Sequence, residues 1–364
     1  MNIIWLSWKD IHHPQAGGAE LVTDQLCRRA AADGHKVTII TSRPKGAAAS
    51  ENINGYKVLR AGNRYTVYWH AWRTYRRQPK PDIVIEEVNT VPFFARFYTR
   101  GTRRIMLFHQ LSRQIWFYEF FKPLALIGYW AEPIYLRIAR SNQVIAMSPS
   151  TKADLQKYGY HNSDIQIISE GIAITPIKSL SKVKKDARPS IIAYGSMRPM
   201  KRTMHVLRAF EKAKPQLPDL RLTIAGRSNS DYGQSVLRAA KDSQYAGDIT
   251  IVDSPSQADL LPLLRSHHYI VAAAVKEGWG LTITEAASQG TPAIAYDIDG
   301  QRDAVFGGQA GLLVRPDTNS LAAAMVRAFG KDTDYPALQK AAWDMSKQIN
   351  FDNSHKDFLR VIGD

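Results

Sequence analysis

The stretch Val275-Lys276-Glu277-Gly278-Trp279-Gly280-Leu281-Thr282-Ile283-Thr284-Glu285-Ala286-Ala287 decides the fold. An apolar run, Tyr269 to Val275, leads into it and predicts a buried parallel strand. The loop that follows holds a carboxylate and two glycines, and it opens a helix that continues to Ser288 and stops at Gln289-Gly290. A strand, a glycine turn and a helix N-terminus present unpaired backbone N–H groups and the positive end of a helix dipole. This stretch therefore predicts a site for a phosphate or diphosphate.

Two glutamates, Glu277 in the loop and Glu285 in the first turn of the helix, allow two interpretations. In the structural one, Thr282 and Glu285 form a capping box and Glu277 is a solvated loop residue. In the functional one, both carboxylates face a bound ligand. The glycines and the buried strand before them favour the functional interpretation.

Length and composition indicate a globular protein of two domains. The chain has 364 residues, of which 45% are hydrophobic and 22% charged, and this length exceeds that of one ordinary core. The lone Cys27 excludes a disulfide framework, and Met1–Trp5 reads as a strand rather than a secretory leader. The net charge of +15 favours an anionic partner, which composition alone leaves open between a membrane surface, a nucleic acid and a phosphorylated substrate.

The first half of the chain alternates short apolar runs with helical patterns. Asn2 to Ser7 is a predicted strand, Gly17-Gly18-Ala19-Glu20 opens a helix, and Lys36 to Ile40 is the next strand. This β-loop-α-β unit predicts a Rossmann-like parallel sheet, and Gly18 would let backbone approach a ligand closely. Further strands are predicted near residues 56–61, 82–86, 104–108, 143–147 and 165–169.

A polar, basic segment precedes a second alternating pattern. We predict an N-terminal Rossmann-like domain over residues 1–175, a linker over 176–190 and a C-terminal Rossmann-like domain over 191–340. Residues 341–364 are predicted as a helical tail that packs back toward the N-terminal domain. The fold class is therefore α/β.

His109 is a candidate functional residue because of its position. It follows the apolar run Ile105–Phe108, and ligands of open parallel sheets bind outside the carboxyl ends of strands. A hydrogen-bonded structural histidine is the equal alternative. His12 and His13 lack the partners that a metal site needs, so we predict no metal there.

Residues 112–137, the aromatic segment, combine many aromatic and aliphatic side chains with interrupting charges. No uncharged run approaches the roughly 20 residues that a membrane span needs. Pro123 and Pro133 are expected to break the segment into short helices. The segment is either a helical hairpin that covers the sheet or an interfacial surface that touches lipid, and the many arginines nearby favour the second slightly.

The whole chain resembles the retaining glycosyltransferases of family 4, which have the GT-B fold of two Rossmann-like domains facing a central cleft. The motifs that carry the resemblance are Gly17-Gly18-Ala19-Glu20, Ala146-Met147-Ser148 followed by Asp154-Leu155, Gly195 with Lys201, and Glu277-Gly278-Trp279-Gly280-Leu281. In the last motif, seven residues separate Glu277 from Glu285. Each motif is modest in specificity, whereas their order and spacing together are specific.

The resemblance assigns roles to individual residues. Lys201 would neutralise the donor diphosphate, which the backbone N–H groups of Gly278, Trp279, Gly280 and Leu281 would also hold. The following residues would complete the site: Glu285 on the ribose hydroxyls, Glu277 on hydroxyls of the transferred sugar, His109 at the donor sugar from the other domain, and Gly18 near the phosphates. Lys201, Glu277 and His109 are the predicted catalytic residues.

Several positions depart from the family pattern. Ser196 stands where the family has arginine. Arg198 and Arg202 are the two candidates to replace that phosphate contact, and we predict Arg198. Ala273-Ala274 replaces Pro-Ser, and Glu170 begins a segment that is usually Asn-Gly-Val-Asp. Asp297-Ile298-Asp299 matches an Asp-x-Asp string, but we interpret it as a turn away from the phosphate loop.

The resemblance implies a retaining, metal-independent hexosyltransferase without a cofactor. The expected donor is a nucleotide sugar, with UDP as the default base, and the expected acceptor is a lipid-linked or cell-envelope glycan. The alternatives are a nucleotide-sugar epimerase or phosphorylase and a non-catalytic nucleotide-sugar-binding protein. We expect a cytoplasmic, mostly monomeric protein that binds an anionic membrane peripherally at its inner face. No nucleic-acid partner is expected, because no aromatic-basic RNA-binding signature is found.

Overall fold

The computed structural model describes residues 1–363 and divides into two compact units. Unit 1 comprises Met1–Gly171 and the segment from Asn350, and unit 2 comprises Ile172–Ile349. The segment 176–190, which the sequence predicts as a linker, belongs to unit 2. Its Lys185 explains this, because the Lys185 Nζ donates to the carbonyl of His267 and to the Thr291 hydroxyl, both over 2.7 Å.

The elements of unit 1 alternate as the sequence predicts. Its strands are β1 (Asn2–Leu6), β2 (Lys36–Thr41), β3 (Ser50–Ile53), β4 (Tyr56–Arg60), β5 (Ile83–Val88), β6 (Arg103–Phe108), β7 (Val144–Ala146) and β8 (Ile165–Ile167). Its helices before residue 171 are α1 (Gly18–Ala32), α2 (Val67–Tyr75), α3 (Trp116–Glu119), α4 (Lys122–Ala139) and α5 (Pro149–Lys157). The strand order is β3-β4-β2-β1-β5-β6-β7-β8, parallel from β4 onward.

Strand β3 is not among the strands predicted from the sequence. It pairs antiparallel with β4, with Ile53 opposite Tyr56. The two strands are joined by Asn54-Gly55, and both residues have positive φ, 47° and 92°. This dipeptide is the commonest signal for a two-residue hairpin turn, so the signal was present in the sequence.

Helix α4 corrects the expectation that two prolines break the aromatic segment into short helices. Pro123 lies in the first turn of α4, where a missing N–H leaves nothing unpaired. Pro133 lies inside the helix and cannot donate to the carbonyl of Tyr129. That carbonyl accepts instead from the Arg113 guanidinium over 3.0 Å, so the helix continues for 18 residues.

Unit 2 is a second parallel sheet flanked by helices. Its strands are β9 (Ser190–Tyr194), β10 (Arg221–Gly226), β11 (Ile249–Asp253), β12 (Tyr269–Ala272), β13 (Ala293–Tyr296) and β14 (Gly311–Val314), in the order β11-β10-β9-β12-β13-β14. Its helices are α6 (Thr203–Ala213), α7 (Asp231–Lys241), α8 (Gln257–Ser266), α9 (Leu281–Ser288), α10 (Asp299–Ala304), α11 (Thr318–Ala328) and α12 (Tyr335–Ser346). Helices α6 and α11 pack on one face, where Phe210, Tyr269 and Tyr296 are fully buried.

The predicted tail divides between the units. Helix α12 belongs to unit 2, whereas the last helix, α13 (Phe351–Ile362), belongs to unit 1. Phe358 of α13 is 1% exposed, and its ring centroid lies 5.8 Å from that of Trp5 in β1. A helix at the far end of the chain thus completes the core of the first sheet.

Candidate functional site

A pocket opens at the carboxyl ends of β9 and β12 in unit 2, where ligands of parallel sheets bind. Its empty volume is about 390 Å³. The lining residues are Ala193, Tyr194, Gly195, Lys201, Thr203, Val206, Val271, Ala272, Ala273, Ala274, Glu277, Thr282 and Gln301. The predicted strand Tyr269–Val275 ends at Ala272, so Ala273 and Ala274 contribute to the wall of the pocket rather than to the sheet.

Lys201 and Glu277 meet in this pocket although 76 residues separate them in the chain. Lys201 lies in the 3-10 turn Pro199–Lys201 that follows β9, and its Nζ donates to Oε1 of Glu277. The Lys201 side chain is 24% exposed and that of Glu277 17%. Because both remain accessible, this ion pair can open to bind an anion on the ammonium and hydroxyl groups on the carboxylate.

The phosphate loop, residues 277–280, leads directly into α9. Gly280 has a φ of 102° and precedes the helix as its N-cap, a conformation that favours glycine. No side chain caps this N-terminus among the described residues, so the capping box between Thr282 and Glu285 does not form. The interpretation of Glu285 as a mere cap is therefore wrong, because the helix begins at Leu281 and places Glu285 one turn further in.

Glu285 is half-buried in α9, one turn after its first residue. Burial raises the pKa of its carboxyl to about 7, although the nearby Lys201 lowers it. At neutral pH the carboxyl is therefore shared between its acid and carboxylate forms. In either form its oxygens can accept hydrogen bonds from ligand hydroxyl groups.

Trp279 contributes backbone rather than side chain to the loop. Its ring is 5% exposed and packs into the core of unit 2. The indole Nε1 donates to the Thr284 hydroxyl over 2.9 Å. This bond ties the loop to the first turn of α9, which fixes the direction of the backbone N–H groups.

The Asp-x-Asp string lies against the phosphate loop, contrary to the sequence interpretation. Lys276 pairs with Asp299, which opens α10. The N–H of Gly300 donates to the carbonyl of Glu277 over 3.2 Å. A Cβ on Gly300 would lie 2.6 Å from that carbonyl oxygen and 2.6 Å from the nitrogen of Trp279. The segment therefore supports the loop through the close approach of a glycine.

All the predicted donor-binding residues except Lys201 lie outside the pocket lining, namely Gly18, Arg198, Gly278, Trp279, Gly280, Leu281 and Glu285. Arg198 is exposed and immediately precedes the turn that carries Lys201. Gly18 is the exposed first residue of α1 in unit 1, where the preceding N–H of Gly17 already donates to Glu20 over 2.7 Å. Their phosphate contacts remain predictions.

His109 lies in a buried triad at the carboxyl edge of the sheet of unit 1. Its Nδ1 lies 3.1 Å from Oε1 of Glu170, and its Nε2 lies 3.5 Å from Oε1 of Glu87. Burial alone would lower the pKa of His109, but the hydrogen bond to Glu170 and the negative charge of the nearby Glu87 outweigh it and raise the pKa to about 10. His109 is thus an imidazolium at neutral pH and acts as a hydrogen-bond donor rather than as a base.

Glu87 anchors this triad and is saturated with hydrogen bonds. It accepts from the Trp5 indole over 2.9 Å, from the Thr23 hydroxyl over 2.8 Å and from the Asn89 amide over 3.1 Å. Burial would raise the pKa of Glu87, but the positive charge of the nearby His109 and the hydrogen bonds from Trp5 and Thr23 hold it below its usual range. A charged residue in the apolar strand β5 is the sequence signal for a buried, hydrogen-bonded carboxylate, and the sequence analysis did not predict it.

Gln301 is a second residue of interest that was not predicted from the sequence. It follows Gly300 in α10, lines the pocket and is 1% exposed. Within residues 1–363 its buried Oε1 has no hydrogen-bond partner. Nothing in the sequence marked this position, because its approach to the pocket depends on the packing of α10 against the phosphate loop.

Two family models divide the chain between them. The model of Glycosyltransferase Family 4 matches residues 16–175, and that of Glycosyl transferases group 1 matches residues 176–343. The chain belongs to glycosyltransferase family 4. Its two Rossmann-like units are those of the GT-B fold, as the sequence predicts.

Known proteins are similar to this family-4 glycosyltransferase over different lengths. An exopolysaccharide phosphotransferase of Streptomyces coelicolor is 30% identical over 226 residues, 61% of this chain and 23% of that protein. The first three curated relatives are matched over only 23%, 36% and 42% of their own length.

Solved structures match over the full length. A sucrose-phosphate synthase of Thermosynechococcus elongatus superposes with a TM-score of 0.78 at 19% identity, over 99% of this chain and 98% of that one. Anabaena HepE in complex with UDP-glucose superposes with a TM-score of 0.72 at 15% identity, over 100% and 99% of the two chains. At these identities the likeness shows the fold.

Proposed function

We propose that this glycosyltransferase is a retaining hexosyltransferase that uses a UDP-sugar and a lipid-linked or cell-envelope glycan acceptor. The observation that carries the proposal is the pocket of unit 2, where Lys201 and Glu277 meet beside the uncapped N-terminus of α9. A cation and free backbone N–H groups favour a diphosphate, and the adjacent carboxylates favour sugar hydroxyl groups.

The proposed binding mode distributes the donor over the pocket and the adjoining N-terminal part of α9. Lys201 and the backbone N–H groups of residues 278–281 hold the diphosphate. Glu285 accepts hydrogen bonds from the ribose hydroxyls, and Glu277 from those of the transferred sugar. Arg198 and Gly18 remain part of this proposal as additional phosphate contacts.

The proposed chemistry rests on stabilising the leaving diphosphate. Negative charge builds up on that group as the glycosidic bond breaks, while the sugar becomes oxocarbenium-like. The fixed positive groups at Lys201 and at the N-terminus of α9 interact more strongly with that charge in the transition state than in the ground state. The acceptor hydroxyl attacks on the face that the diphosphate leaves, and its proton passes to the departing phosphate oxygen, so the anomeric configuration is retained. The mechanism assigns no step to a metal ion.

His109 is the third catalytic residue of the proposal. As an imidazolium, it donates hydrogen bonds and carries positive charge, which suits a contact with a sugar hydroxyl group rather than proton abstraction. The carboxylates of Glu87 and Glu170 support this state.

The exposed surface of α4 supports peripheral binding to an anionic membrane. The side chains of Ile127, Trp130 and Ile134 are 66%, 70% and 61% exposed. Lys122 and Arg137 are exposed on the same helix, whereas its glutamate, Glu132, is buried. An apolar stripe with flanking cations is typical of helices that lie in a lipid interface. We propose a monomeric, cytoplasmic enzyme that binds the inner face of the membrane in this way.

No membrane span accompanies this surface. Among residues 1–363, no helix has both the length and the apolar character required to cross a bilayer.

A thermal-stability panel tests the donor assignment. The purified chain is heated with UDP, GDP, ADP and their sugar conjugates, and a ligand at 100 times its dissociation constant should add about 2.7 kcal/mol to the free energy of unfolding. We expect a shift with UDP and UDP-sugars. A shift with GDP or ADP alone would reassign the base, and no shift with any nucleotide would contradict the proposal.

Product analysis then separates transfer from its alternatives. Incubation of the stabilising sugar nucleotide with membrane extract and with buffer alone distinguishes an acceptor-dependent transferase from an epimerase, which converts the donor without acceptor. Release of nucleotide only in the presence of acceptor is the expected result.

A further inference from the structure

The loops after three neighbouring strands of unit 1 meet at one edge of its sheet. Strands β4, β2 and β1 are adjacent and parallel, so Trp8, Arg43 and Arg64 follow the same carboxyl edge. The N–H of Arg43 donates to the carbonyl of Gly62 over 2.8 Å, and the Ser42 hydroxyl donates to the carbonyl of Trp8 over 2.6 Å. These bonds join the three loops into one surface at the edge where ligands of parallel sheets bind.

Arg64 is held between two aromatic rings of this surface. Its Cζ lies 4.7 Å from the centroid of the Phe120 ring and 5.7 Å from that of the Trp8 ring. The Nζ of Lys9 lies 4.5 Å from the centroid of the same Trp8 ring, and the His13 ring lies 5.5 Å from it. Ring contacts restrict the guanidinium while its N–H groups stay available to a ligand.

The nearby carboxylates are already paired with other cations. Asp10 pairs with Arg60, Glu20 with Lys9, and Glu51 with Arg60 and His12. Within the described part of the chain, no carboxylate forms an ion pair with Arg64. A half-buried guanidinium thus stands at the ligand edge with its charge uncompensated.

We propose that Arg64 binds a phosphate group of the acceptor, an inference that rests on the transfer activity proposed above. The guanidinium presents two parallel N–H donors that match two phosphate oxygens. The Lys9 ammonium adds positive potential beside it, although Glu20 offsets part of that charge.

The surroundings of Arg64 fit a phosphate that is attached to an apolar chain. The centroid of the Phe120 ring lies 5.0 Å from that of the tilted Trp116 ring, and the next residue, Phe121, is 69% exposed at the start of α4. The cation therefore adjoins the exposed apolar surface of α4. A lipid-linked phosphate and a soluble sugar phosphate share the headgroup chemistry, and only the first would also use this apolar surface.

Calorimetric titration of the full chain tests the site. The protein is first saturated with the nucleotide that it binds, so that the pocket of unit 2 is occupied, and is then titrated with inorganic pyrophosphate or with farnesyl diphosphate. We expect Arg64→Gln to weaken binding of both probes about tenfold or more, since a charge-assisted phosphate contact is lost. Arg64→Lys keeps the positive charge but loses the paired N–H donors, so its affinity for the probes should lie between those of the wild type and Arg64→Gln.

Arg73→Gln is the matched control. The Arg73 guanidinium also stacks on an aromatic ring, 5.5 Å from the centroid of Trp69, but Arg73 lies in α2 rather than in the edge loops. We expect the Arg73→Gln variant to bind both probes with the affinity of the wild type. Tighter binding of farnesyl diphosphate than of pyrophosphate would assign the phosphate to a lipid, and equal binding would assign it to a soluble acceptor.

Two results would overturn the inference: no binding of either probe to the wild type, or equal binding by the wild type and Arg64→Gln. The preceding nucleotide titration keeps the two proposals separate. If no nucleotide binds, the proposed function fails, and the phosphate probes are then compared in a Lys201→Gln background that lacks the cation of unit 2.

Discussion

His109 owes its charge to residues distant in the sequence, and this makes the stability of unit 1 dependent on pH. Its folded-state pKa, raised to about 10, lies above the unfolded value of about 6.5. The contribution of protonated His109 to the free energy of unfolding is therefore fully present below about pH 6.5 and is lost as the pH rises through about 10.

Glu170→Gln should reveal this linkage. The substitution removes one anionic partner of the imidazolium, and we expect it to lower the free energy of unfolding by about 1.5–3 kcal/mol at pH 6. The difference from the wild type should shrink as the pH rises through about 10, because His109 of the wild type loses its proton there. Urea unfolding at several pH values measures it, with the exposed Glu119→Gln as control. A difference that is constant with pH would contradict the assignment.

Lys201 is the residue on which the proposed chemistry depends most. Lys201→Ala should lower kcat/KM about 10²–10³-fold, because a fixed charge at the leaving group is lost. Lys212→Ala is the matched control, since Lys212 is an exposed lysine in α6 whose ammonium contacts Thr318 and Asn319. Steady-state kinetics with the sugar nucleotide identified in the thermal panel measures both variants, and equal rates for Lys201→Ala and wild type would remove Lys201 from the mechanism.

The sequence singles out individual residues of the unit 2 pocket but not their surroundings. Glu277 and the loop glycines were predicted because a strand-loop-helix pattern marks them locally, and Lys201 was predicted from the resemblance to family 4. The pairing of Lys276 with Asp299, the orphaned oxygen of Gln301 and the triad around His109 depend on contacts between separate elements. No local pattern encodes such contacts.

At the scale of elements, α4 shows how a side chain can preserve a helix across a proline. Its buried face includes Glu132, whose carboxylate accepts the N–H groups of Ser112 and Arg113, both over 2.8 Å. The sequence predicts a break at Pro133. That prediction is wrong because the carbonyl of Tyr129 finds another donor, Arg113, which lies outside the helix. The strands were predicted more closely, since a buried apolar run is a local signal.

The outer face of α4 makes a prediction about lipid binding. Trp130→Ser should weaken binding to vesicles that contain phosphatidylglycerol about tenfold, because a large apolar side chain no longer enters the interface. Trp69→Ser controls for the loss of an exposed tryptophan elsewhere in unit 1, as Trp69 is 51% exposed in α2. Cosedimentation with these vesicles and with neutral ones measures the effect. Equal sedimentation of the Trp130 variant and wild type would argue against this surface.

At the scale of the whole molecule, α13 makes the first unit discontinuous in sequence. Phe358→Ala should lower the stability of unit 1 by about 3–5 kcal/mol, the usual cost of emptying a buried aromatic site. Hydrogen exchange locates the effect. The amides of β1 should exchange faster in the variant, whereas those of β12 in unit 2 should not change. Faster exchange in both sheets, or in neither, would contradict the division into two units.

The return of α13 also has a consequence for synthesis on the ribosome. Domains usually complete their folding in the order in which they emerge from the exit tunnel. Here the first sheet must wait for Phe351–Ile362, while the intervening unit, Ile172–Ile349, is already complete. At roughly 5–20 residues per second, that wait lasts on the order of ten seconds or more. During it the nascent chain displays the uncovered face of β1 with Trp5, a hydrophobic surface of the kind that chaperones bind.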